Sequence, residues 1–342
     1  MSTEKLRVVQ VGAGGRGSTH LQAMTECGAV DLVAISELDE KKLKEAGEKY
    51  GVKKLYSDMS EMIKKENPDF VNIVTPPTLR LSIVEPAIKA GAKAIGIEKP
   101  IALTPSESRK LVALGKDRLI TVNTQYQWKP HWQKIWSLLA EKAIGDIRVI
   151  RASTRANVLE QGPHVLDLAL KAASISGLPD PEWVLGNCHG VERFGKTPVP
   201  ADTSATIGLG DARLFINHGP SAPAVPGESV IWFHIQVEII GSKGKIWVTL
   251  NQNGSMWRDG KFEEISTNWG RNDGEAQRGL FVAVRDHLKG GDWRKFPTRI
   301  DVAGKISDIM FAVYASALGG GRIKLPCELP DDVVTRLENL PQ

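Results

Sequence analysis

Three cysteines in 342 residues leave little material for a disulfide framework, and their positions, Cys27, Cys188 and Cys327, match no metal-ligand or redox spacing. That pattern is expected of a protein from a reducing compartment. A charge excess is also missing. Lysines and arginines number 44 against 40 acidic residues, with both signs interspersed, which argues against a nucleic-acid or membrane-binding surface. No apolar run approaches a membrane-spanning length, and the polar start "MSTEKLRVV" is expected to enter a strand too soon to leave room for a signal peptide. A cytoplasmic location is therefore expected. Internal repeats and low-complexity linkers are absent, and His131, His218 and His234 share no ligand spacing, so no metal is assigned.

The length exceeds what one core comfortably serves, so two domains are expected, 1–124 and 125–342. In the first, short β-branched runs ("RVVQV", "DLVAIS", "FVNIVT", "AIGIE", "LITVNT") alternate with amphipathic helical stretches. This is the pattern of a doubly wound parallel sheet with helices on both faces. In the second, "IRVIRAST", "WVLGNCHGVERF", "SATIGLG", "RLFINHG", "VIWFHIQVEIIG" and "KIWVTLN" follow one another mostly without helix-length connections. An open, mostly antiparallel sheet results, with helices returning near the end of the chain.

The segment "RVVQVGAGGRGSTHLQAM" opens as a strand and closes as a helix, with Gly12, Gly14 and Gly17 between. These glycines suit three tasks: the tight turn, close approach of backbone to a pyrophosphate, and close helix-on-strand packing. Gly15 and Arg16 would present free N–H groups of the helix start to the phosphates. Glu37 ends the second strand twenty residues after Gly17, where a carboxylate accepts from ribose hydroxyls and repels a 2′-phosphate. NAD is therefore expected over NADP, although Lys41 and Lys42 are near enough in sequence to weaken the preference.

Further along come "TPPTLR" (Thr75 to Arg80), the step Glu98-Lys99-Pro100, "WSLLAEKAIGDIRVIRAS" and "EQGPHVLDLAL". In this order and at this spacing, the chain resembles the Gfo/Idh/MocA family (glucose-fructose oxidoreductase, inositol 2-dehydrogenase, MocA) over most of its length. The resemblance implies a Rossmann domain followed by an α/β domain. The sheet of that second domain would carry one face of a substrate pocket and often an oligomer contact, as in a dimer or tetramer. It implies that Thr75, Pro76, Glu98 and Lys99 border the cofactor, that Lys99 is catalytic or positions substrate, and that Lys99-Pro100 lies against the nicotinamide, where proline permits a cis bond.

Oxidation of a secondary alcohol needs a group to take the hydroxyl proton while hydride leaves the same carbon. His164, in the first turn of a helix opened by Gly162 and Pro163, is the candidate base, with Asp167 three residues on to orient the ring. Lys99, at the carboxyl end of a strand, would stabilise the developing alkoxide. Glu160 stands where the family commonly has aspartate and is a supplementary acid or base. Arg80 stands where the family commonly has histidine; it is open to two readings, a partner for an acidic substrate group or a structural salt bridge. Nine tryptophans against four tyrosines suggest sugar-stacking faces, with Trp128, Trp132, Trp257 and Trp269 as the ones to follow. A carbohydrate dehydrogenase is the leading expectation. The alternatives are a redox-neutral, NAD-assisted elimination, hydrolysis or epimerisation of a glycoside, and a nucleotide-sensing regulator without catalysis.

Overall fold

The computed structural model describes residues 4–251, 254–266 and 273–340. The chain forms two compact units. Of the described residues, 4–103, 107–128 and 273–304 make the first; 104–106, 129–251, 254–266 and 305–340 make the second. The segment 273–304, which sequence order groups with the second half, is thus part of the first unit.

The first unit holds a six-stranded sheet in the order β3-β2-β1-β4-β5-β6, parallel throughout. The strands are β1 (Leu6–Val11), β2 (Val30–Ser36), β3 (Lys54–Tyr56), β4 (Phe70–Ile73), β5 (Ile95–Ile97) and β6 (Ile120–Val122). Between them run α1 (Gly15–Glu26), α2 (Glu40–Tyr50), α3 (Met59–Glu66), α4 (Arg80–Lys89) and α5 (Pro105–Leu114). The period of two in β1 sends Leu6 and Val8 to one core and Val9 and Val11 to the other, so both faces are apolar. Helix starts follow the sequence. The Asp39 carboxylate accepts from the Lys42 N–H at the head of α2, and Gly51 closes that helix at φ 69°. β3 was not anticipated, because three residues carry too little periodicity to be read.

One core is completed from far along the chain. Leu280, Phe281 and Val284 of α8 (Asp273–Lys289), with Phe296, pack among Leu21 and Met24 of α1 and Leu119. Beyond them the backbone of Thr298 accepts from Val122 N at 2.8 Å, and the Thr121 and Thr298 hydroxyls are 2.8 Å apart, so the open edge of β6 is covered.

The second unit holds α6 (Pro130–Ala140), α7 (Gly162–Ile175) and a nine-stranded sheet in the order β14-β13-β12-β11-β7-β10-β9-β8-β15. Its strands are β7 (Ile147–Thr154), β8 (Trp183–Phe194), β9 (Thr197–Leu209), β10 (Ala212–His218), β11 (Ile235–Gly241), β12 (Gly244–Thr249), β13 (Gly254–Arg258), β14 (Lys261–Ser266) and β15 (Ile323–Lys324). Among the described strands of this second sheet, only β7 and β10 pair in parallel. "VIWFHIQVEIIG" is not strand throughout: Ile231–Phe233 form a single 3-10 turn, and His234 Nδ1 accepts from Val225 N at 3.0 Å, which bends the chain before β11 begins.

α9 (Ile300–Gly319) corrects another expectation. By length and composition it is apolar enough to span a bilayer, but most of it is buried inside the fold, including Met310, Phe311, Val313 and Tyr314. Its apolar character is that of a core helix.

Candidate active site

The turn after β1 is built around close contacts that only glycine permits. Gly12 has φ 93°, and a Cβ there would stand 2.3 Å from Val74 O, where β4 leaves the sheet. A Cβ on Gly17 would meet Gly12 O at 2.4 Å. At Gly14 and Gly15, by contrast, a Cβ would meet nothing within 4 Å. No side chain caps α1, so the N–H groups of its first turn are left for an anion. Beside them the Thr75 hydroxyl is buried with no partner among the described residues. An open cradle, uncapped donors and an orphaned hydroxyl fit a dinucleotide pyrophosphate.

Glu37 closes the other end of that cradle. Its Oε2 accepts from Ala13 N at 2.8 Å, and its Oε1 from Leu38 N at 2.8 Å and Asp39 N at 3.2 Å. Three backbone donors fix the carboxylate, and Oε2 keeps a lone pair for a ribose hydroxyl.

Glu98 and Arg16 do something the sequence did not reveal. Glu98 Oε1 accepts from Arg16 Nε at 3.0 Å and from Asn123 Nδ2 at 2.7 Å, and lies 2.8 Å from His20 Nε2. Asn72 Nδ2 lies 3.1 Å from His20 Nδ1 and donates to Gln10 Oε1 at 2.9 Å; Gln10 Nε2 in turn donates to Gly12 O and Gly17 O. A buried polar chain thus runs from the glycine turn to the end of β5. Burial by itself would raise the Glu98 carboxyl, but Arg16, His20 and Lys99 hold it well below the usual carboxylate range. Burial outweighs Glu98 at His20 and keeps that imidazole neutral. His20, Asn72 and Asn123 were missed because they come from separate elements and carry no motif.

Lys99 follows immediately, half-buried, with its backbone N–H donating to Glu98 Oε2 at 3.2 Å. Its bond to Pro100 is cis. Pro76 lies on the exposed exit of β4, and Arg80 begins α4 in full burial.

In the second unit, the loop after β7 and the first turns of α7 carry Glu160, His164 and Asp167. His164 and Asp167 are buried and Glu160 is half-buried. The His164 N–H donates to Gln161 O at 3.1 Å. Asp167 lies three residues past His164 and four before Lys171, on one helix face. Burial lowers the Lys171 ammonium, and the Asp167 charge opposes that shift. Asn157, which the sequence did not single out, holds Glu160 at both ends: its Nδ2 donates to Glu160 Oε2 at 2.9 Å, and its Oδ1 accepts from Glu160 N at 3.0 Å.

The tryptophans divide. Trp128 stacks on Phe296 at 5.8 Å between centroids and packs against Gly279, so the structure gives it a place at the edge of the first unit's core. Trp132 is fully buried beside Trp136, Trp257 is exposed near the sheet edge, and Trp269 lies outside the described residues. No group of three potential metal ligands occurs among the described residues.

Residues 6–126 match the family model GFO_IDH_MocA, described as an oxidoreductase family with an NAD-binding Rossmann fold. That region is similar to the NAD-binding domain of the Gfo/Idh/MocA oxidoreductases. The family is one of NAD-dependent enzymes. D-apiose dehydrogenase of Paraburkholderia graminis is 32% identical over 187 residues, 49% of this chain and 50% of that protein. Myo-inositol 2-dehydrogenase of Thermotoga maritima is 26% identical over 254 residues, 71% of this chain and 75% of that one. The match to the first of these spans about half the relative's length. Levoglucosan dehydrogenase, solved with NADH and levoglucosan, has the same fold at TM-score 0.79 and 19% identity, covering 95% of this chain and all of that one.

Proposed function

We propose that this protein is an NAD-dependent dehydrogenase acting on a secondary hydroxyl of a sugar, cyclitol or glycoside. The observation that carries the reading is the cradle at Gly12–Gly17 closed by Glu37, together with relatives named for D-apiose and myo-inositol. The N–H groups of Gly15 and Arg16 would hold the pyrophosphate, Thr75 its flank and Glu37 the adenosine ribose. NAD, when bound, supplies the hydride acceptor.

The protein's own residues supply the rest. Lys99 donates to the substrate oxygen and offsets its growing negative charge. His164 takes the hydroxyl proton, Asp167 orients the imidazole, and Glu160, steadied by Asn157, supplements proton transfer. Self-association through the face of the nine-stranded sheet carrying Arg151, Glu238 and Trp247 is part of the same proposal.

The test is a panel of sugars, inositols and glycosides scored by NADH absorbance and product mass. Turnover with NADH formation supports the reading. Product without NADH transfers it to the redox-neutral class, and nucleotide binding without any turnover transfers it to a sensor.

A further inference from the structure

Arg80 is the first residue of α4, reached from the carboxyl end of β4 through the single turn Pro77–Leu79. Its side chain is 1% exposed, yet none of its three guanidinium nitrogens has a hydrogen-bond partner among the described residues. Burial lowers its pKa to about 10, against the opposing field of Glu98, so it stays charged at neutral pH. Glu98 does not bond it, being engaged by Arg16, His20, Asn123 and the Lys99 N–H. The salt-bridge reading of Arg80 is therefore not what the fold realises.

A buried cation with five unused donors is costly to keep and calls for an anion. Its surroundings agree: the single charge of Glu98 acts on Arg16, Arg80 and Lys99 together, while His20 is neutral. The position along the sheet narrows the choice of anion. Glu37 follows β2, the glycine turn follows β1, and Arg80 comes after β4, in the spatial order β2-β1-β4. With ribose at β2 and pyrophosphate at β1, Arg80 lies on the side away from the adenosine, where the reacting end of a dinucleotide and its substrate belong. The planar fork of arginine matches a carboxylate through two parallel bonds.

The geometry points to Arg80 as the receptor for a carboxylate carried by the substrate, which makes the substrate class a polyhydroxy acid of aldonic or uronic type. This rests on the dehydrogenase reading for the cofactor end of the site.

Full-length protein loaded with NADH is titrated with D-glucuronate and its methyl ester, and with D-gluconate and D-glucitol, reading nucleotide fluorescence and heat. At least one acid should bind tenfold or more tightly than its neutral partner, a ratio that collapses in Arg80→Gln and is partly kept in Arg80→Lys. NADH affinity should change by less than about threefold, and Arg80→Met, free of an unpaired charge, should melt no lower than wild type. Equal binding of acid and neutral partner, or binding of neither, overturns the inference. So does a tenfold loss of NADH affinity in Arg80→Gln, which assigns the guanidinium to the cofactor's phosphates, or a lowered melting point in Arg80→Met, which reveals a structural partner. Acid-selective binding without NAD-dependent turnover upholds Arg80 and defeats the dehydrogenase reading. Turnover of neutral polyols alone does the reverse.

Discussion

Nε2 of His20 lies 2.8 Å from Oε1 of Glu98, and both side chains are buried. The pair joins α1 to the end of β5, so the helix that begins at the glycine turn is tied to the strand that delivers Lys99.

Glu98→Gln removes the charge on which Arg16 and the neutral His20 converge. Arg16 is exposed and stays solvated, but buried His20 and Asn123 lose a charged acceptor for a neutral one, a cost of about 1–2 kcal/mol. Thermal melting should show a clear loss of stability, with weaker NAD binding because the polar chain reaching Gly12 and Gly17 is slackened. An unchanged melting point would show that the network carries no stability.

Acid should destabilise the fold through its buried histidines. Burial pushes His131 down to about 4, helped by Lys129, and His218 down to about 3. Because the folded values lie below the unfolded value of about 6.5, their contribution is complete above that pH. It is lost as pH falls toward 4 and 3, at about 1.4 kcal/mol per pH unit for each group. Denaturation followed from pH 8 to pH 4 should show this slope, and His218→Leu should reduce it.

On the proposed reading cofactor choice is set at Glu37, whose carboxylate is held by three backbone N–H groups, while Leu38 beside it is 86% exposed. Calorimetric titration should find NAD bound more tightly than NADP. Glu37→Ser combined with Leu38→Arg should reverse the order.

Lys99→Ala and His164→Ala should each lower turnover by roughly 10² or more, the scale of lost acid-base catalysis, with little change in NAD affinity. Asp167→Asn should be milder. Asn157→Ala should copy the effect of Glu160→Ala, since Asn157 bonds both ends of Glu160. Full activity in His164→Ala would send the search for the base to Lys99 or Glu160.

What was legible in the sequence was local. The strand, the glycine turn and the following helix lie within twenty residues, each glycine's role follows from backbone sterics, and the Asp39 cap lies beside the helix it starts. That His164 and Asp167 share one helix face was readable for the same reason, whereas their proposed role rests on the family resemblance. Contacts between distant segments were not. His20, Glu98 and Asn123 meet across 103 positions, Trp128 finds its stacking partner 168 residues later, and nothing near Asn157 announces that it will clamp Glu160. Arg80 was visible only as a departure, and its lack of a partner emerged once every neighbouring acceptor had been placed.

The return of residues 273–304 to the first unit delays the completion of that unit during synthesis. A nascent chain can pair all six strands once Val122 has emerged, but the core that α1 shares with α8 lacks part of its cover until Phe281, Val284 and Phe296 leave the ribosome. Until residue 296 has been made, with most of the second unit already synthesised, the nucleotide-binding half therefore exposes apolar surface. A gene cut after Trp128 to isolate the cofactor domain would freeze it in that unfinished state.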